Sequence, residues 1–156
     1  MAKAIARVID DSTVHNLRVI NISFANDGGT GSPSLQQVID RAYEKGVIVV
    51  AAAGNNAQSE SHHGNYYPSF PSDLNHVISV ISTNKLNSKS DYSNYGPMKD
   101  IAAPGEQIYT TRNRLYKGDG EEGSIWEFGG TSAAAPVVSG DRKSTRLNSS
   151  HTNLPR

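Results

Sequence analysis

Ser132 lies in the stretch GGTSAAAPVVSG, residues 129 to 140, with two glycines and a threonine before it and three alanines and a proline after it. Neighbours this small let another group come close to the hydroxyl, and a serine hydroxyl becomes a nucleophile once a base takes its proton. The approaching group is then either another part of the fold or a substrate. A second run of small residues, AAAGNN at 51 to 56, places Asn55 and Asn56 after Gly54. Small residues followed by Gly and Asn also commonly make nothing more than a turn.

The elements that would carry these residues alternate between helix and strand. Ala2 to Asp11 has Ile5, Val8 and Ile9 at the spacing of an amphipathic helix. RVINISF, residues 18 to 24, is rich in β-branched residues and predicts a buried strand. After a Gly-rich turn at 28 to 32, Ser34 is the expected helix cap, Leu35, Val38, Ile39 and Ala42 form one face, and Gly46 is the stop. VIVVAAA, residues 47 to 53, is apolar throughout, as in a central parallel strand covered on both sides, and HVISVIS, 76 to 82, supplies a third such strand. Shorter strands are expected at Asp91–Ser93, Lys99–Ala102, Gln107–Thr111 and Ser124–Phe128. The order implies right-handed crossovers and an α/β fold, a mostly parallel central sheet with helices on both faces. In such a sheet chemistry gathers at the carboxyl edge of the strands. Ser23, Phe24 and Ala25 follow the first strand, Ala53, Gly54 and Asn55 the second, and Gly130, Thr131 and Ser132 stand where a later strand gives way to a helix.

Composition narrows the classes of function. The 156 residues suit one domain with a sizeable core. The 15 basic and 15 acidic side chains cancel, but residues 141 to 156, DRKSTRLNSSHTNLPR, hold four of the basic and one of the acidic ones. The remaining body is mildly acidic, which argues against a nucleic-acid partner, and the tail has too few charges and no aromatic residue to serve as a binding arm. The longest apolar run, Val47 to Ala53, is far short of the roughly 20 residues a bilayer requires, so no membrane span is expected. MAKAIARVIDD at the start is amphipathic rather than a leader. Cysteine is absent, which excludes disulfides and thiolate metal sites.

RVINISF, GVIVVAAAGN, YPSFPS before HVISVIS, the pair SNYGP and IAAPG, and GTSAAAPVVSG, in that order and at those spacings, resemble the C-terminal part of the catalytic domain of subtilases, the subtilisin-like serine endopeptidases. The resemblance covers most of residues 1 to 140 and implies a subtilisin-like three-layer domain there, here incomplete. It implies Ser132 as the nucleophile and Asn55 as a donor to the oxyanion. By the same resemblance Ser23, Phe24 and Ala25 and Ala52, Ala53 and Gly54 wall the cleft, with Gly130 and Thr131 beside the nucleophile and Tyr66 at the base of the primary pocket. No cofactor is required, and the implied partner is a peptide or protein substrate. Family members are often secreted, which favours an extracellular location. Many bind structural calcium, but Asp73, Asp91, Glu121 and Glu122 form no readable ligand loop and are expected on the solvated surface.

The residue types agree with that chemistry. Acyl transfer needs a hydroxyl at a helix start, where free N–H groups and the positive end of the dipole favour a developing anion. Ala133, Ala134 and Ala135 leave the approach open, and Pro136 in the opening turns is expected to give up little or no helical N–H. The approaching group is then a peptide carbonyl.

A serine nucleophile also needs a base and a carboxylate to orient it. Subtilases carry these in D-[ST]-G and H-G-T-H patterns upstream of the strand that RVINISF matches, and neither pattern is present. Asp10 and Asp11 end the first helix, His62 and His63 fall in a polar loop, His15 lies in a loop, His76 opens a strand and His151 belongs to the tail. The expectation is a fragment that lacks the catalytic Asp and His and is inactive and poorly stable alone. Residues 141 to 156 show no helical stripe and read as foreign or disordered sequence, which would cut the nucleophile helix after about two turns. If Tyr66 takes the position where relatives often have a Gly, it would make the pocket shallow and favour a small side chain; a loop shifted by one residue is the alternative, and by the same resemblance Tyr67–Pro68 is a candidate cis peptide. The alternatives are a catalytically silent subtilase-like domain that binds peptides or scaffolds an assembly, and an unrelated α/β ligand-binding domain. Retention of both Ser132 and Asn55 speaks against the first, and five motifs in order against the second.

Overall fold

The computed structural model describes residues 1–12, 14–27, 31–56, 68–111 and 125–149. In chain order the elements are α1 (Ala2–Asp11), β1 (Val19–Ile22), β2 (Asn26–Asp27), α2 (Pro33–Glu44), β3 (Ile48–Ala52), β4 (Ser69–Phe70), β5 (Val77–Thr83), β6 (Ile101–Pro104), β7 (Ile108–Thr111), β8 (Ile125–Phe128) and α3 (Thr131–Ser149). β1, β3, β5 and β6 form one sheet in that order, every pair parallel. The parallel pairing follows from sequence: β3 and β5 are nearly continuous apolar runs, which only a sheet covered on both faces can bury.

Both faces are covered. On one, Ile5 and Ile9 of α1 and Leu35, Ile39 and Ala42 of α2 pack on Val49, Ala51 and Val77. On the other, Ala134, Ala135 and Val138 of α3 pack on Val50, Ala52, Val80 and Ala103. The expected α/β arrangement of three layers is present. Each fully buried Ile or Val contributes about 1.5–3 kcal/mol relative to exposure.

Several boundaries differ from those the sequence suggested. α2 starts earlier than expected, with Ser32 rather than Ser34 as its N-cap, because Pro33 is preset for the first helical position. It ends as expected: Gly46 takes φ +67°, its N–H reaches the Tyr43 carbonyl at 2.9 Å, and the Val47 N–H reaches Ala42 at 2.8 Å, closing the last turn. Asp91–Ser93 is a turn and not a strand, with the Ser93 N–H bonded to the Ser90 carbonyl at 2.9 Å. Lys99 turns back onto Gly96, so the sixth strand begins at Ile101 rather than Lys99. β7 and β8 pair antiparallel, and β2 and β4 make a two-residue antiparallel pair too short to be legible in sequence. Phe70–Pro71 is a cis peptide, and the candidate Tyr67–Pro68 bond falls outside the described residues. Pro136 sits inside α3, and the backbone of α3 runs on through Ser149 instead of ending after two turns. Arg, Lys and Leu are good helix formers and no proline follows Pro136 before Ser149, so a polar sequence without a stripe still continues the helix.

Candidate active site

The carboxyl ends of β1 and β3 and the start of α3 meet at one edge of the sheet. Gly130 precedes α3 at φ +115°, a conformation that glycine alone adopts freely, and its carbonyl accepts the N–H groups of Ala133 at 2.9 Å and Ala134 at 3.3 Å. The N–H groups of the first helical turn have no carbonyl within the helix to bond. That of Thr131 reaches Asn55 Oδ1 at 2.9 Å, and Thr131 Oγ1 donates to the same oxygen at 2.9 Å while accepting the Gly54 N–H at 3.1 Å.

Those two donors fix the carboxamide of Asn55. A backbone N–H must face oxygen, so Nδ2 is turned the other way, where it bonds none of the described residues. A β-carbon at position 130 would stand 3.1 Å from Nδ2, so only glycine fits there without displacing the amide. Thr131 is fully buried, and Ser132, next in the chain, is half-buried at the start of α3.

Ser132 and Ser23 clasp each other across the end of β1. Ser132 Oγ donates to the Ser23 carbonyl at 3.1 Å, and Ser23 Oγ donates to the Ser132 carbonyl at 2.8 Å. The second bond exists because of Pro136. In a regular helix the N–H of residue 136 would bond the carbonyl of residue 132, and proline has none to give. Pro136 therefore does cost the helix a bond, contrary to the reading from sequence, and Ser23 fills the vacated acceptor.

Ala52, Ala53 and Gly54 are buried behind Asn55, Ala25 is half-buried and Phe24 is 56% exposed. Tyr66, His62, His63, His151, Glu121 and Glu122 lie outside the described residues. Asp10 and Asp11 are solvated, paired with Arg41 and Arg7. His15 is exposed, and His76 stacks on Tyr43 with ring centres 4.0 Å apart, at the opposite edge of the sheet. Neither of these histidines meets Ser132 Oγ. Among the described residues no three His, Asp or Glu side chains group as metal ligands.

Asp73 is not on the solvated surface where the sequence put it. Its side chain and that of Lys99 are each 3% exposed and form an ion pair. Asp73 also accepts the Ser69 N–H at 2.8 Å and the Ser72 hydroxyl at 3.1 Å. Two further residues escaped the sequence reading. The Tyr92 hydroxyl accepts the Gly130 N–H at 3.1 Å and donates to the Gly105 carbonyl at 2.9 Å, tying the turn before α3 to the end of β6. Asn94 bonds the backbone on both sides of Asn55. Both lie in or beside SNYGP, a motif visible in sequence whose bonding partners are visible only in the fold.

The comparisons with known proteins agree with this geometry. The profile of the subtilase family matches residues 1–141. The chain is 37% identical over 138 residues to thermitase of Thermoactinomyces vulgaris, a match covering 88% of this chain and 43% of that protein. It is 38% identical over 122 residues to an extracellular protease of Xanthomonas campestris pv. campestris, covering 78% of this chain and 20% of that one. Among solved structures it superposes on a lanthipeptide protease with a TM-score of 0.73 at 26% identity, over 90% of this chain and 50% of the other. The chain thus spans less than half the length of these two curated relatives.

Proposed function

The chain belongs to the subtilase family, and we propose that the protein carrying it is a serine endopeptidase that cleaves peptide bonds through an acyl-enzyme on Ser132. One observation supports the reading: the N–H and hydroxyl of Thr131 hold the oxygen of the Asn55 carboxamide beside the start of α3, where Ser132 is the next residue. Ser132 attacks the substrate carbonyl, a histidine outside residues 1–156 takes its proton, and the resulting oxyanion is met by Asn55 Nδ2 and the Ser132 N–H. Water then releases the acyl group. Ser23, Phe24 and Ala25 on one side and Ala52, Ala53 and Gly54 on the other bind the extended peptide, whose backbone adds to the exposed strand ends.

The substrate is a peptide or protein, the location extracellular, and residues 1–156 alone are inactive, because among the described residues no histidine bonds Ser132. A fluorophosphonate probe tests whether Ser132 is an activated nucleophile and whether residues 1–156 alone suffice to activate it. It labels Ser132 in the protein completed with its histidine and aspartate, the label disappears in Ser132→Ala, and residues 1–156 alone neither label nor hydrolyse a peptide ester. Rapid ester hydrolysis by residues 1–156 would refute the need for an external base. A completed protein that takes no label is the silent, peptide-binding relative instead.

A further inference from the structure

Thr131 fixes the side chain of Asn55 and the Gly54 N–H, but not the Gly54 carbonyl or the Asn56 N–H on either side of Asn55. Those groups converge on Asn94, a residue 4% exposed in the turn between β5 and β6. The Asn94 N–H donates to the Gly54 carbonyl at 2.9 Å, before Asn55. Asn94 Oδ1 accepts the Asn56 N–H at 2.9 Å, after it. Asn94 Nδ2 donates to the Ala53 carbonyl at 3.0 Å and to Ser69 Oγ at 2.8 Å. Three consecutive peptide links around Asn55 are thus bonded to one side chain and its own backbone N–H, with Asn55 at the centre of the bracket.

The bracket is braced from behind. Ser69, which receives one Nδ2 hydrogen, has its own N–H on Asp73 Oδ2 at 2.8 Å and its carbonyl on the Ser72 hydroxyl at 2.9 Å. Asp73 is paired with buried Lys99, whose ammonium also lies 3.2 Å from Ser72 Oγ and 3.5 Å from the Ala53 carbonyl. Ser93 Oγ donates to the Asn94 carbonyl at 3.1 Å. A planar carboxamide is the group this place requires. It supplies one acceptor and two donors in a rigid plane, whereas Asp offers only acceptors when ionised, Ser and Thr are too short, and Gln is one methylene too long.

The geometry points to Asn94 as a positioning residue that holds the Ala53–Asn56 backbone so that Asn55 Nδ2 meets the oxyanion, an inference that rests on the protease reading above. Asn94 touches no reacting atom. Its effect passes through the placement of Asn55, and a displacement of about 1 Å in such a group costs on the order of 10²-fold in rate.

A double-mutant cycle in the whole protease separates this role from a merely structural one. With a chromogenic peptide substrate, Asn94→Ala lowers kcat about tenfold and leaves KM within about twofold, because the loss falls on a contact made in the transition state. In an Asn55→Ala background the same substitution lowers kcat less than about twofold, since the donor it positions is already gone. Equal losses in both backgrounds, or an unchanged kcat in Asn94→Ala, would overturn the inference. Should Asn94→Ala not fold, Asn94→Asp keeps the volume and the acceptor for Asn56 while deleting both side-chain donors, and must show the same non-additive pattern. An active protease with additive losses overturns the role of Asn94 alone. A protein that neither turns over substrate nor takes the fluorophosphonate probe overturns the protease reading and this inference with it.

Discussion

The sheet meets two kinds of packing. Under α1 and α2 the contacts are made by Ile5, Ile9, Leu35, Ile39, Val47 and Val49, large aliphatic groups that attract without direction. At the carboxyl edge the buried residues include Ser69, Ser72, Ser82, Ser90, Ser93, Asn94 and Thr131, small polar groups held by hydrogen bonds of defined partner and angle. Aliphatic packing tolerates a similar volume in a slightly different place. A buried donor that loses its acceptor has no second arrangement available. The molecule spends volume where it needs cohesion and directed bonds where it needs placement.

That contrast sets out a series of substitutions in falling order of effect. Ser132→Ala removes the nucleophile, and labelling of the completed protein by a fluorophosphonate falls to background. Asp73→Asn changes neither size nor shape, yet it leaves buried Lys99 without a counter-charge and lowers stability by about 3–5 kcal/mol, read as a lower denaturant midpoint. Asn55→Ala raises the barrier of the chemical step by about 3–4 kcal/mol, the magnitude known for loss of such a donor in subtilisin itself, and also lowers the denaturant midpoint, because the buried N–H and hydroxyl of Thr131 lose their acceptor at a cost of about 1–3 kcal/mol. Ile39→Val on the aliphatic face costs about 0.5–1.5 kcal/mol of stability and leaves kcat unchanged. Arg41→Ala deletes an exposed ion pair to Asp10 and costs at most about 1 kcal/mol. If Ile39→Val proves as damaging as Asp73→Asn, the two regions do not differ in the way their side chains suggest.

The same contrast explains what could be read before the fold was known. The aliphatic face is periodic, so Ile5 and Ile9, Leu35 and Ile39, and the runs of β3 and β5 announce themselves by spacing alone. Ser132 and Asn55 were legible because their neighbours are unusually small and their motifs distinctive. Asp73, Tyr92 and Asn94 were not, because their partners stand 26, 38 and 41 residues away and a hydrogen bond leaves no period in the sequence. Asp73 in particular looks like any surface acid until Lys99 folds against it. The cost of Pro136 was misjudged for a similar reason: the carbonyl it leaves free is satisfied by Ser23, 109 residues before Ser132.

The clasp between Ser23 and Ser132 has a bearing on the order in which the molecule comes into being. Contacts between residues so distant in the chain form late, after local turns and neighbouring strands have brought their ends together. As the polypeptide leaves the ribosome, β1, β3 and β5 can assemble while the segment after Gly130 is still unmade. The end of β1 is thus in place before Ser132 arrives to meet it, whereas the Asn55 carboxamide takes its orientation only when Thr131 brings its N–H and hydroxyl.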